Sequence, residues 1–175
     1  GNDNIFLATR NGMAICFNEN DARAVGRTAS GVKAIDLADG DYVVGAEPVR
    51  EDSKVLLVTD GGYGKCTDLT SFRIQHRGGK GLKAYKITEK TGNIIGISMV
   101  NDSEELIMVT SEGVVIRIRI KDIATTTGRI TQGVRLINLN DGVTVVSMDK
   151  ISAEDTVEEE SEENNTEVTA ETTEE

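Results

Sequence analysis

The chain repeats itself about every fifty residues, three times over. Phe6-Leu7-Ala8-Thr9-Arg10-Asn11-Gly12 returns as Leu56-Leu57-Val58-Thr59-Asp60-Gly61-Gly62 and again as Ile107-Met108-Val109-Thr110-Ser111-Glu112-Gly113. Each is an apolar run that ends in Thr and breaks at a glycine, and Gly12, Gly62 and Gly113 lie 50 and 51 positions apart. A second element keeps the step: Gly26-Arg27-Thr28-Ala29-Ser30-Gly31-Val32-Lys33, then Gln75-His76-Arg77-Gly78-Gly79-Lys80-Gly81-Leu82-Lys83, then Gly128-Arg129-Ile130-Thr131-Gln132-Gly133-Val134-Arg135. A third follows as Tyr42-Val43-Val44-Gly45, Asn93-Ile94-Ile95-Gly96 and Thr144-Val145-Val146-Ser147. A period of this length means one supersecondary unit per repeat, stabilised by stacking on its neighbours.

Each unit reads as strands. Short β-branched runs are bounded by Gly, Asn and Asp, and nothing sustains a helical period. In the first copy the strands fall at 5–9, 13–17, 32–37 and 43–47, with Pro48 at a strand end where a missing N–H does no harm. Arg10-Asn11-Gly12 and Asp60-Gly61-Gly62 supply the positive φ that tight hairpins need. Four strands per fifty residues describe all-β propeller or pinwheel blades, here three four-stranded antiparallel ones: 1–51, 52–101 and 102–151. Three blades do not close a ring, so self-association of a half propeller is expected. The chain lacks an initiator Met and opens directly into an apolar run, so it reads as a section of a longer protein.

The net charge of −11 is unevenly placed. Eleven of the 30 acidic residues fall within 152–175 and none of the 19 Lys and Arg do, so the rest of the chain is neutral. That tail, without aromatics and with few apolar residues, lacks the surface to offset its ordering entropy, and disorder is expected there. Its tethered negative charge is expected to compete with polyanions for basic surface. No apolar stretch approaches the roughly 18 residues of a membrane span, and no signal-peptide pattern is present. A soluble, cytoplasmic protein without a membrane partner is expected.

Catalytic chemistry is hard to place. Cys16 and Cys66 are too few for a disulfide framework, and with His76 they fall short of a zinc site. Free thiols in a reducing compartment are expected, too far apart on successive blades to bridge. Gly61-Gly62-Tyr63-Gly64-Lys65 lacks the spacing of a phosphate-binding loop and no helix follows it. No nucleophile, base and orienting group converge, so neither catalysis nor a cofactor is expected of this chain.

The cations are better organised. Long connections between the second and third strands carry Arg23, Arg27 and Lys33; then Arg73, Arg77, Lys80 and Lys83; then Lys121, Arg129 and Arg135. Repetition sets them at one level on successive blades, as a rim suited to a track of phosphates. Few aromatics accompany them, so the backbone of double-stranded DNA is a better match than stacked single-stranded bases.

Gln75-His76-Arg77-Gly78-Gly79-Lys80-Gly81 resembles the box motif of bacterial DNA gyrase A subunits, with His76 standing where a second basic residue is usual. Asp60-Gly61-Gly62-Tyr63-Gly64-Lys65 and the run from Gly128 to Leu139 are similar to later blades of the same C-terminal domain, and the resemblance covers residues 4–150. It implies a six-bladed pinwheel that wraps duplex DNA around a positive rim, of which these would be the fourth to sixth blades. It implies an ATP-dependent type II topoisomerase that introduces negative supercoils in the bacterial cytoplasm at the nucleoid. The partners are then the B subunit together with the remainder of the A subunit, and catalysis lies outside this chain. The box that matters most for wrapping belongs to the first blade, outside this sequence. Lys65 joins the rim set on this resemblance. So does Arg117, four residues after its turn glycine, where family members place a cation and this chain has Cys16 and Cys66 in the other copies. Two alternatives stay open: the equivalent domain of topoisomerase IV, whose boxes are more degraded than residues 75–81, and a protein-interaction propeller.

Overall fold

The computed structural model describes residues 1–152. Most of the acidic tail, with the disorder and the competition expected of it, lies outside the described residues. Three hairpins set the frame: β1 (Asn4–Thr9) with β2 (Met13–Asn18), β4 (Lys54–Thr59) with β5 (Tyr63–Asp68), and β8 (Glu105–Thr110) with β9 (Val115–Arg119). Their turn glycines all take positive φ, 86° at Gly12, 77° at Gly62 and 80° at Gly113, which a side chain would strain. A further strand then pairs antiparallel with the first strand of each hairpin. These are β3 (Val43–Pro48) on β1, β7 (Ile94–Val100) on β4 and β12 (Val145–Ile151) on β8.

The fourth strand of a sheet comes from the next repeat. Leu82–Lys83 (β6) pairs with Met13 and Ala14 of β2, and Val134–Arg135 (β11) pairs with Tyr63 and Gly64 of β5. Short parallel contacts extend this seam: Ile74 bridges Cys16, and β10 (Thr125–Thr126) pairs with Cys66 and Thr67. The sheets therefore hold four, five and three strands rather than four each. The strand expected at 32–37 does not form. Its counterparts become strands only by reaching the preceding sheet, and among the described residues no sheet precedes the first. The outer edge of β9 is likewise unpaired, and Val114 and Val115 beside it are exposed.

Alternation decides what each sheet buries. Phe6, Ala8 and Cys16 face Val55, Leu57 and Met99 in one buried cluster, where Phe6 and Phe72 meet edge to face at 4.8 Å. Leu56, Val58 and Cys66 point the other way, onto Leu106 and Met108. The middle sheet is thus apolar on both faces, and each of its fully buried aliphatic side chains contributes about 1.5–3 kcal/mol. At the inner edge Gly45 and Gly96 admit the close approach of Ile97 and Met148 from the neighbouring inner strand. There Lys150 donates to the Met99 carbonyl at 2.6 Å and lies 3.9 Å from both Glu47 and Glu104, joining all three sheets.

Candidate nucleic-acid interface

The connections that deliver the exchanged strands lie against one another in chain order, held by bonds that repeat. The Asp36 N–H donates to the Gly79 carbonyl at 2.8 Å, and fifty residues later the Lys86 N–H donates to that of Thr131 at 3.0 Å. Arg77 donates from Nη1 to the Lys33 carbonyl at 2.9 Å, and Arg129 from Nη1 to that of Lys83 at 3.4 Å. A stack of connections zipped in this way makes one surface of what the sequence shows only as three separate sets.

Exchange also explains the glycines of the box. A Cβ on Gly81 would lie 2.4 Å from the Ala14 carbonyl oxygen, and one on Gly133 would lie 2.4 Å from that of Gly64. Both residues also take positive φ, so a side chain is excluded twice over. Gly31, at the same place in the first repeat, has nothing within 4 Å. Gly78 donates its N–H to the Ala34 carbonyl at 2.7 Å, Gly79 supplies the carbonyl already described, and the Gln75 N–H reaches the Cys16 carbonyl at 2.8 Å. The Gln75 Nε2 is buried without a hydrogen-bond partner among the described residues.

The predicted cations divide by what they touch. Arg23, Arg27, Arg73, Lys80, Lys83 and Lys121 are exposed and, among the described residues, none forms an ion pair. Exposed Lys33 pairs with Asp36, whose carboxyl it holds below the usual range. The His76 side chain is fully exposed, its Nδ1 3.4 Å from Asp21. Arg77 and Arg129 are half-buried, with guanidinium groups spent on backbone carbonyls. Arg135 donates to the Tyr63 hydroxyl at 3.1 and 3.0 Å, which lowers the tyrosine's proton affinity, and to Asn138 at 2.9 Å.

Two expected rim residues lie elsewhere. Lys65 is 0% exposed, because its side chain points from β5 beneath the third connection. Arg117 pairs with Glu105 on the face of the third sheet. Its register partner is Ile107, as Cys16 is opposite Phe6 and Cys66 opposite Leu56; the two cysteines meet the next sheet at this position, and Arg117 is exposed on the outer face of the third. Cys16 and Cys66 are accordingly buried between sheets, which pushes both thiols up, Cys66 to about 11. Lys86 is a cation that the repeat pattern alone does not single out. It is exposed and sits three residues beyond Lys83, in a segment that reads as an inward strand.

With Lys86 included, residues 69–88 carry five Lys and Arg and no Asp or Glu. Residues 123–140 add Arg129 and Arg135, again without an acid, whereas residues 19–41 hold five acids against three bases. The positive field therefore centres on the second connection and extends over the third. No group of three His, Cys, Asp or Glu able to hold a metal occurs among the described residues, and no helix there is long and apolar enough to cross a membrane.

Strand exchange between repeats, a shared inner edge and an outer row of connections, basic in its second and third members, define this class of protein: a β-propeller. The same architecture recurs in the solved C-terminal domain of DNA topoisomerase IV, with a TM-score of 0.84 at 27% identity over 95% of this chain and 52% of that one. The DNA gyrase A C-terminal domain superposes with a TM-score of 0.79 at 25% identity, over 86% and 51%. The chain belongs to the family described as the DNA gyrase C-terminal domain, β-propeller, whose model matches residues 3–50, 53–101 and 104–152. It is 45% identical over 157 residues to the DNA gyrase A protein of Staphylococcus epidermidis and 46% identical over 148 to that of Ureaplasma parvum, covering 89% and 85% of this chain. The chain spans only 18% of the length of either relative.

Proposed function

We propose that this chain binds double-stranded DNA through its row of connections, as the non-catalytic wrapping element of a DNA gyrase A subunit. The observation that carries the reading is the second connection, five cations without an acid, flanked and fixed by connections bonded to it in repeating fashion. Each Lys or Arg laid on a phosphate releases condensed counterions, so affinity is expected to be salt-steep and nearly blind to sequence. Bending duplex around so small a domain costs of order 1–6 kcal/mol for a 40–90° turn, which several such contacts offset. Strand passage and ATP hydrolysis are then tasks of the B subunit together with the remainder of the A subunit, in the bacterial cytoplasm at the nucleoid. The 45% identity to gyrase A subunits favours this over topoisomerase IV. A protein-interaction propeller would not need the acid-free connection.

Self-association is a second proposal, favoured by the unpaired edge of β9 and the unpaired residues 32–33. The two are complementary, so copies would join head to tail.

The test is duplex binding by fluorescence anisotropy over a salt series, comparing the chain with an Arg73→Ala/Lys80→Ala/Lys86→Ala variant. These side chains form no ion pair among the described residues, so the fold is left intact. A slope of log affinity against log salt that flattens by roughly 2–3 in the variant supports a phosphate track. An unchanged slope moves the interface elsewhere, and absent binding at low salt removes the reading.

A further inference from the structure

The two junctions between connections are built differently, and the difference isolates one residue. At the first, the second connection is held by its own backbone and arginine: Arg77 Nε donates to the Asp21 carbonyl at 2.8 Å, and the Gly78 N–H donates to that of Ala34. At the second, neither bond has a counterpart among the described residues. The remaining Arg129 contact, to Lys83, is long at 3.4 Å.

Lys65 and Tyr85 take the vacant place. The Lys65 ammonium donates to the Arg129 carbonyl, to the Thr131 hydroxyl at 3.0 Å and to the Gly128 carbonyl at 3.4 Å. It also lies 5.3 Å from the centre of the Tyr85 ring, whose hydroxyl donates to the Gln132 carbonyl. Both side chains are wholly buried. All four acceptors come from residues 128–132, and none from the sheet that carries Lys65. In the first repeat the same two positions are Ile15 and Ile35, and the third repeat has Ile116 in place of Lys65. The core therefore accepts an apolar side chain here. A buried ammonium is costly unless paired, and every hydrogen-bond acceptor it finds lies in residues 128–131.

We propose that Lys65, with Tyr85, is a positioning residue for nucleic-acid binding, fastening residues 128–132 so that Arg129 and Arg135 stand in line with the cations of the second connection. The proposal rests on the DNA-binding reading above, and its two halves are measured separately.

The first half is read by amide hydrogen exchange on the full chain without DNA, in Lys65→Ile and Tyr85→Phe. Exchange at the amides that dock this connection, Lys86 onto the Thr131 carbonyl and Leu136 onto that of Gly62, is expected to quicken about tenfold in both, with Gln75 and Gly78 unchanged. The second half is duplex affinity. Each variant is expected to weaken binding about as much as Arg129→Ala, roughly threefold, and to add nothing when combined with it. Tyr85→Phe keeps every charge and nearly all the volume, so it decides the matter should Lys65→Ile fail to fold. Unchanged exchange at Lys86 and Leu136 in Tyr85→Phe, or quickening spread evenly over the chain, overturns the fastening. A loosened connection with undiminished affinity overturns the positioning role. Failure of the unsubstituted chain to bind duplex removes the DNA reading instead and leaves the exchange result standing.

Discussion

The guanidinium of Arg77 donates to the backbone carbonyl of Lys33 at 2.9 Å, so a cation of one connection is anchored on the residue that carries a cation of the connection before it. Arg77 thereby both contributes charge and sets the spacing of the row. Arg77→Lys keeps the charge and loses the two-pronged grip on Lys33 and Asp21. We expect it to bind duplex more weakly than the unsubstituted chain with the same salt slope, whereas Lys80→Ala should lower the slope itself by roughly 1. Anisotropy titrations at several salt concentrations separate the two.

The glycines at the exchange points make a graded series. Gly31→Ala meets only the backbone strain of a positive φ, about 1–2 kcal/mol. Gly81→Ala and Gly133→Ala add a methyl driven against a carbonyl oxygen of the preceding sheet. Each should cost upward of about 3 kcal/mol and loosen its exchanged strand. Chemical denaturation midpoints for the three variants give the order directly, and equal losses would sever the link to strand exchange.

Lys65 also makes a prediction about pH. Burial lowers its ammonium to about 8 from the ordinary 10.5. The unfolded chain therefore holds more protons than the folded one between these values, and stability rises with pH across that window. Between pH 8 and 9 the gain from Lys65 is on the order of 1 kcal/mol, offset in part because the thiols of Cys16 and Cys66 ionise near their ordinary 9.0 in the unfolded chain and later in the folded one. Thermal melts should show it in the unsubstituted chain and not in Lys65→Met.

The thiols offer a simple probe. With Cys16 and Cys66 buried between sheets and their ionisation suppressed, neither should react with a thiol reagent at pH 8 until the chain opens. Labelling rates in native buffer and in denaturant check this. Fast native labelling of Cys66 would mean that the second and third sheets part readily.

Much of this molecule is legible in its residues. The turn glycines and the alternation around Phe6, Leu56 and Ile107 place every hairpin, and the spacing of Arg27, Arg77 and Arg129 places the connections. What the sequence does not display is which sheet a strand joins. Leu82-Lys83 is as β-prone in its own repeat as in the preceding one, and only the glycine before it, pressed on a foreign carbonyl, decides. For the same reason Lys65 and Arg117 look like rim cations from their hairpins alone. Their direction depends on the register of a strand edge and on a neighbouring connection some sixty residues away.

The exchange of strands offsets the unit that folds from the unit that repeats by about half a period. A single sequence repeat, made alone, would contain three strands of one sheet and a fourth addressed to a sheet it does not possess. The smallest piece that completes any sheet is therefore a tandem pair. Shuffling one repeat out of the array, or into it, re-addresses a strand at both cut ends, so copies are constrained to stay in order like links of a chain rather than beads on a string.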